Sequence, residues 1–206
     1  VALDGSGDFT SIQSAIDAAT SGDTILIGPG VYQESDVSAV VQLRNARVTL
    51  RGTVDSQTGQ PLTIVDGQNE RTGFYCTDPL SEGSLIRDIE FTNGYSGAGS
   101  AAHVRNAVLT FSNCVFSNSY CFDTGAGNGY GCGAGLYTYL VSDIHLNDCV
   151  FRGNACDLSG AGLYLHQVNG HLEGCVFENN ESGAGGGAVS CHPGTYEATF
   201  NDCLFS

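Results

Sequence analysis

The chain has 206 residues, enough for one domain with a substantial core, and it carries 22 acids against 7 bases for a net charge of −15. All the bases are arginine, so the clustered positive charge that nucleic acid or an anionic membrane needs is lacking, and no apolar run is long enough for membrane insertion. Glycine at 29 against proline at 4, with charged residues at only 14%, suits many tight turns between short, regularly paired strands. At the start of the chain, "DFTSIQSAIDAA" puts Ile12, Ala15, Ile16 and Ala19 on one helical face. Thr10 and Gln13 have the spacing of a capping box, so a helix is expected within 9–20. "SGDTILIGPGVYQE" then gives a turn, a buried strand at Thr24–Ile27 and a Gly-Pro-Gly turn. One amphipathic helix ahead of β-structure reads as a cap over an open strand edge.

Further on, the chain repeats itself. "NCVF", "DCVF", "GCVF" and "DCLF" bring Cys114, Cys149, Cys175 and Cys203 into register, with Ile89 of "RDIEF" as an earlier equivalent. The steps are 25, 35, 26 and 28 residues. A second landmark precedes each rung: "GAGLY" at 133–137 and 160–164, "GGGAV" at 185–189, and a weaker copy, "SAAHV", at 100–104. Periods in this range signal a solenoid. Leu109–Phe111, Ile144–Leu146 and Ala198–Phe200 alternate with period two and no segment here has a helical period, so the coils are β-coils. The fold expected is all-β, a parallel β-helix of roughly seven coils, in one domain over 1–206. Residues 1–34 form the N-terminal cap and first coil, and 35–206 the repeat coils. Alternation in Cys-Val-Phe turns Cys and Phe to one face, giving an interior cysteine ladder beside a ladder of Phe116, Phe151, Phe177 and Phe205.

Nine cysteines are many for a reducing compartment, and none has Cys-x-x-Cys or zinc-finger spacing. Oxidised, extracellular cysteines are favoured, and a chain beginning with Val fits one whose export signal has been removed. Cys121 and Cys156 each lie seven residues after a rung cysteine, at equivalent turns of adjacent coils, and Cys132 lies between them. One disulfide is expected among these three, Cys121–Cys156 first, with the rung thiols free and buried. Asn180-Glu181-Ser182 is the one glycosylation sequon.

Residues 4–34, "DGSGDFTSIQSAIDAATSGDTILIGPGVYQE", resemble the N-terminal cap and first coil of the pectin lyase-like superfamily, pectin methylesterases in particular. "GGAV" at 186–189 and the Phe-x-x-Asn units Phe151–Asn154 and Phe177–Asn180 resemble the repeats of polymorphic outer membrane proteins, from which Phe116-Ser-Asn118 departs by one residue. The resemblances imply a right-handed parallel β-helix in a secreted or cell-surface protein.

Esterase chemistry requires a carboxylate nucleophile, a second carboxylate as acid/base and donors for an oxyanion. Phe122-Asp123-Thr124 is a partial echo of that family's Gln-Asp-Thr motif, with Phe in place of Gln, and the later arginine motif is absent. Lyase chemistry requires a calcium cluster and an arginine base, for which Asp123, Arg152 and Asp157 are the weak candidates, against a reading as solvated turn residues. No cofactor is called for, although "DTGAGNGYG" (123–131) offers Asp123 and Asn128 as oxygen donors to calcium. This loop falls in the one long repeat, where an insertion on a rigid scaffold is a natural place for function. Tyr137 over Tyr164 and Tyr139 over His166 would make a sugar-binding platform if they face outward and plain core if they face inward. Histidines 103, 145, 171 and 192 share no ligand spacing and read as solvated strand residues. Two function classes follow: a non-catalytic extracellular or surface module (structural, filament-forming, adhesive or glycan-binding), or a polysaccharide-active lyase or esterase. The missing catalytic set favours the first. "NDCLFS" ends one residue past a rung Phe with no cap following, so either a longer solenoid continues or the chain partners itself end to end.

Overall fold

Short segments of period-two alternation stack as parallel strands. The structure, a computed structural model, describes residues 1–34, 38–125, 131–140, 143–195 and 197–206. Among these the strands gather into three long parallel sheets and a small fourth one. The first sheet has seven strands, from Thr24–Leu26 through Leu109–Ser112, Asp143–Asn147 and Asn169–Glu173 to Glu197–Asn201. The second also has seven, from Gly30–Tyr32 through Ile89–Thr92, Val115–Ser117, Val150–Arg152 and Val176–Glu178 to Leu204–Phe205. The third runs over six strands from Ala39–Leu43 through Thr72–Cys76, Ala102–Arg105, Leu136–Tyr139 and Leu163–His166 to Val189–Cys191. The fourth joins Tyr95–Ser96, Tyr120–Cys121, Ala155–Cys156 and Glu181–Ser182. A coil therefore passes through the first, second, fourth and third sheets before returning to the first one rung higher, the parallel β-helix expected from the repeat.

The corners explain the residues between strands. Asp88, Asn113, Asp148, Gly174 and Asp202, between first and second sheets, all have φ between 50° and 63°. Asn93, Asn118, Gly153 and Asn179 do the same one corner later. Asn and Asp tolerate the left-handed region because their short side chains bond locally, and Gly because it lacks Cβ. At the corner into the third sheet Gly99, Gly133, Gly160 and Gly186 have φ between 58° and 66°. These four fix the true landmark register: Ala102, Leu136, Leu163 and Val189 are partners. "SAAHV" and "GGGAV" were thus aligned one residue out, and Gly99–His103 and Gly186–Ser190 are the equivalents of the two "GAGLY" runs.

The rung motif is core. Cys114, Cys149, Cys175, Phe116, Phe151 and Phe177 are fully buried, while Val150 and Val176 are half-buried on the outer side. Each thiol sits 3.3–3.6 Å from a carbonyl one coil back: Cys114 from Ile86, Cys149 from Phe111, Cys175 from Leu146. Phe116, Phe151 and Phe177 stack with interplanar angles of 10° and 4°. The Asn of Phe-x-x-Asn ties coils together. Asn154 Nδ2 donates to the Phe116 carbonyl at 2.9 Å and its Oδ1 accepts from Ser119 N at 3.2 Å, and Asn180 repeats this against Phe151 and Asn154 N. Ser119, three residues after Phe116, fills the same position, so that repeat keeps its spacing with a different residue. The sequon Asn180 has its amide committed to this ladder.

The helix, α1 (Ile12–Ala18), buries Ile12, Ala15 and Ile16. Its N-cap is Ser11, whose hydroxyl accepts from Ser14 N at 3.1 Å, one residue beyond the Thr10–Gln13 capping box expected. Gln13 instead caps the sheet. Its Oε1 accepts from Gln42 N at 2.8 Å and its Nε2 donates to Gln42 O at 3.1 Å, so one side-chain amide replaces a neighbouring strand on the edge strand Ala39–Leu43. At the other end of the stack Phe200, Leu204 and Phe205 are exposed.

Candidate functional site

The third sheet turns alternate residues outward, and Tyr137 pairs in register with Tyr164, Tyr139 with His166. The outward direction holds, but the platform does not. Tyr137 is 3% and Tyr164 6% exposed, because Ala98, Cys132 and Leu158, from the corners on either side of the insertion, pack over them. Burial raises both phenols, Tyr164 to about 12. Tyr139 and His166 remain half-buried, 4.6 Å apart, with the Arg105 guanidinium 5.1 Å above the Tyr139 ring and His192 3.9 Å from His166. His103 is not the solvated residue expected. Its ring lies 5.0 Å from both Tyr75 and Tyr137, its Nδ1 is 3.1 Å from the Ala98 carbonyl, and burial lowers its pKa.

A second aromatic group, which sequence reasoning passed over, lies on the fourth sheet and is open to solvent. Tyr95 and Tyr120 are register partners on adjacent coils, 41% and 39% exposed. Their rings stack at 6.0 Å and 18°, and Phe122 stacks on Tyr95 at 4.9 Å and 29°. The Tyr120 hydroxyl donates to Asp157 Oδ1, and the other carboxylate oxygen accepts from Asp123 N at 2.8 Å. The Tyr120 hydroxyl, then the Asp123 amide, holds the Asp157 carboxyl below its usual range. The stacked rings and the ionised Asp157 together offer solvent an apolar ring surface beside a hydrogen-bond acceptor. The signal was present, since Tyr95 and Tyr120 each stand four residues after a rung Phe.

Structure brings Asp123 and Asp157 together but not Arg152. Arg152 lies on the second sheet with its guanidinium 3.0 Å from Glu90, which also accepts from Ser117 Oγ at 2.7 Å. An arginine paired in this way is no free base for proton abstraction beside those aspartates. Asp123 Oδ1 accepts from Gly125 N at 2.8 Å, an ordinary turn bond. Asn128, the other calcium candidate, lies outside the described residues.

The disulfide expectation is corrected. All nine cysteines are free thiols. Cys121 and Cys156 are indeed register partners, and the Cys121 thiol donates to the Cys132 carbonyl at 3.1 Å. Partners in a parallel ladder have parallel Cα–Cβ bonds separated by the strand spacing, about 4.8 Å. A bridge needs Cβ atoms about 3.8 Å apart and turned toward each other. Burial pushes the Cys121 and Cys156 thiols up to about 12 and Cys76 to about 11, so these are inert hydrophobes rather than nucleophiles.

A family model described as a right handed beta helix region matches residues 35–206. No curated protein and no solved structure matches the chain.

Proposed function

Because the chain belongs to the right-handed β-helix family, we propose that it is a non-catalytic module, secreted or held at the cell surface, that binds a neutral glycan on its outer face. The observation that carries this is the stack of exposed Tyr95 and Tyr120 with half-buried Phe122, beside the Asp157 carboxylate. Adjacent coils set successive ring positions a strand spacing apart on a rigid surface, which suits an extended polymer better than a compact small molecule. Net charge of −15 argues for an uncharged polymer, since an acidic one is repelled unless a cation screens it. The reading as a lyase or esterase has no comparable support, with Arg152 paired to Glu90. Affinity electrophoresis through gels containing neutral glucans, galactans or xylans, and pectin or alginate with and without calcium, tests the proposal. Retardation by a neutral polymer, lost in Tyr120→Ala, is the expected result. Migration unaffected by every neutral polymer overturns it, and release of methanol or unsaturated sugars would replace it with the enzyme reading.

A further inference from the structure

The outer face of the first sheet carries its charges in two separate halves. Strand parity turns Arg51 and Arg87 outward, register partners on the second and third of seven strands, with Leu50 and Ile86 turned in and buried. Arg47 stands outward two residues before Thr49, and its stem passes over the third coil, where a Cβ added at Gly83 would stand 3.2 Å from Arg47 Cδ. The fourth strand, Leu109–Ser112, shows only Thr110 and Ser112. Beyond it the sign reverses, with Asp143 on the fifth strand, Glu173 on the sixth and Glu197 on the seventh. Three of the seven bases thus share one half of a face and three acids the other, in a chain whose net charge is −15.

Local partners do not use these charges up. Arg87 Nε donates to Asp88 Oδ2 at 2.8 Å, but Arg51 Nε stands off the same oxygen at 4.0 Å, with its side chain 56% exposed. Arg47, Glu173 and Glu197 are exposed and have no ion pair among the described residues. The rim acids of the basic half, Asp23 and Glu82, lie in the corners before the strands, and Asp23 is turned back onto Thr20 N at 2.7 Å. A twofold axis parallel to the middle strand brings the two halves together. Laid face to face about it, two copies keep strand position and reverse coil order, so the second strand meets the sixth and the third meets the fifth. Arg51 then stands opposite Glu173, since both occupy the strand position of Ser112. Arg47, lying over Gly83, stands opposite Asp143, since each of those positions is two residues before a register partner of Thr110. The uncharged fourth strand meets itself.

We propose that the protein pairs with a second copy of itself through the outer face of the first sheet, antiparallel in coil order, making the Arg51–Glu173 and Arg47–Asp143 contacts twice. Such an interface is isologous and closes at two copies. Another occupant would have to present both signs in this same arrangement, which a polymer of uniform charge does not. By strand spacing and rise the face spans roughly 29 by 13 Å. That is small for a specific interface, so charge registration rather than apolar burial selects the mate, and the dimer is weak and reversible. The net charge of −15 opposes self-association, but that repulsion comes from distant charges. A Debye length of about 8 Å at physiological salt screens them and leaves close contacts effective. The aromatic stack lies on the fourth sheet, which the coil separates from the first by the second and third, so it stays open in the pair.

Sedimentation equilibrium of the whole chain tests the pairing. At about 0.15 M salt, and up to ~1 mM protein, it should show a monomer–dimer equilibrium that about 1 M salt suppresses. Arg51→Glu and Glu173→Arg should each weaken the dimer on the order of 100-fold, because each sets like charges together twice. An equimolar mixture of the two variants should associate as a heterodimer, in which both contacts are again between opposite charges. Arg105→Glu makes the same charge change on the third sheet and should leave the dimer unaltered. All three side chains are exposed, and circular dichroism of each variant confirms that the fold is kept. A chain that stays monomeric throughout at 0.15 M salt leaves the face to another occupant or to water and overturns the proposal. A dimer indifferent to both reversals, or a mixture that does not associate, overturns it too.

Discussion

Inside the coil Phe116, Phe151 and Phe177 stack at 4.8 and 4.7 Å with no exposure; outside it Tyr95 and Tyr120 stack in the same register, 6.0 Å apart, with about two fifths of each residue in water. The two ladders share one geometry and differ in which way strand parity turns them. The interior ladder buries its full surface and is closed by Cys and Asn partners, so it holds the stack together. The exterior one keeps ring area uncovered and so contributes less to stability, which leaves that area open to a ligand. A solenoid thereby separates stability from recognition more cleanly than a globular core does, because each repeat contributes to both on opposite faces.

That separation breaks most visibly at the core. Phe151→Ala should cost about 3–5 kcal/mol, since Phe151 is fully buried between Phe116 and Phe177 and neither neighbour can move toward the cavity without leaving its own rung. Urea denaturation followed by circular dichroism measures this. A loss below about 1 kcal/mol would mean that the interior ladder is not continuous.

A second, smaller effect sharpens the comparison at an outer ladder that is covered, that of Tyr137 and Tyr164. Burial, its largest cause, lowers the pKa of His103. The unfolded imidazole titrates near 6.5. The folded state therefore favours the neutral ring, and this contribution is complete above pH 6.5 and lost as pH falls from there through the folded value. His166 is shifted the same way, by burial and then by His192, and adds to the same window. The lowered aspartates Asp143 and Asp157 act near or below pH 4, well clear of it. The melting temperature should fall between pH 7 and 5, and His103→Gln should flatten part of that slope. A flat wild-type profile would place the imidazole in water and make this face like the exposed one.

Much of this was legible because a solenoid writes its register into its period. The Cys-Val-Phe rungs gave the second sheet and the interior ladder, and the helix fell within its expected range. The misreadings have physical causes. Glycine fits several successive positions at a corner, so "SAAHV" and "GGGAV" slid by one residue, and only the left-handed Gly99, Gly133, Gly160 and Gly186 define the corner. Parity turned Tyr137 and Tyr164 outward correctly, but parity is blind to a corner packing over them. Adjacency paired Cys121 with Cys156, but adjacency in a parallel ladder keeps side chains parallel and apart.

The smallest stability effect belongs to the residue with the largest expected effect on binding. Tyr120→Ala removes one ring from the exposed stack and one hydroxyl from Asp157. Asp157 keeps its bond from Asp123 N and is open to water, so no buried group is left unpaired. Substitutions of this kind usually stay within about 0.5 kcal/mol. The backbone pairing of Tyr120 with Tyr95 and Ala155 is independent of the side chain and persists. Thermal and urea unfolding of Tyr120→Ala should therefore match the parent while retardation by a neutral glycan is lost. A destabilisation above about 2 kcal/mol would show the Tyr95–Tyr120–Phe122 stack to be a structural clasp over the fourth sheet. Its exposure would then be incidental, and the division of labour between the two ladders would fail at its outer end.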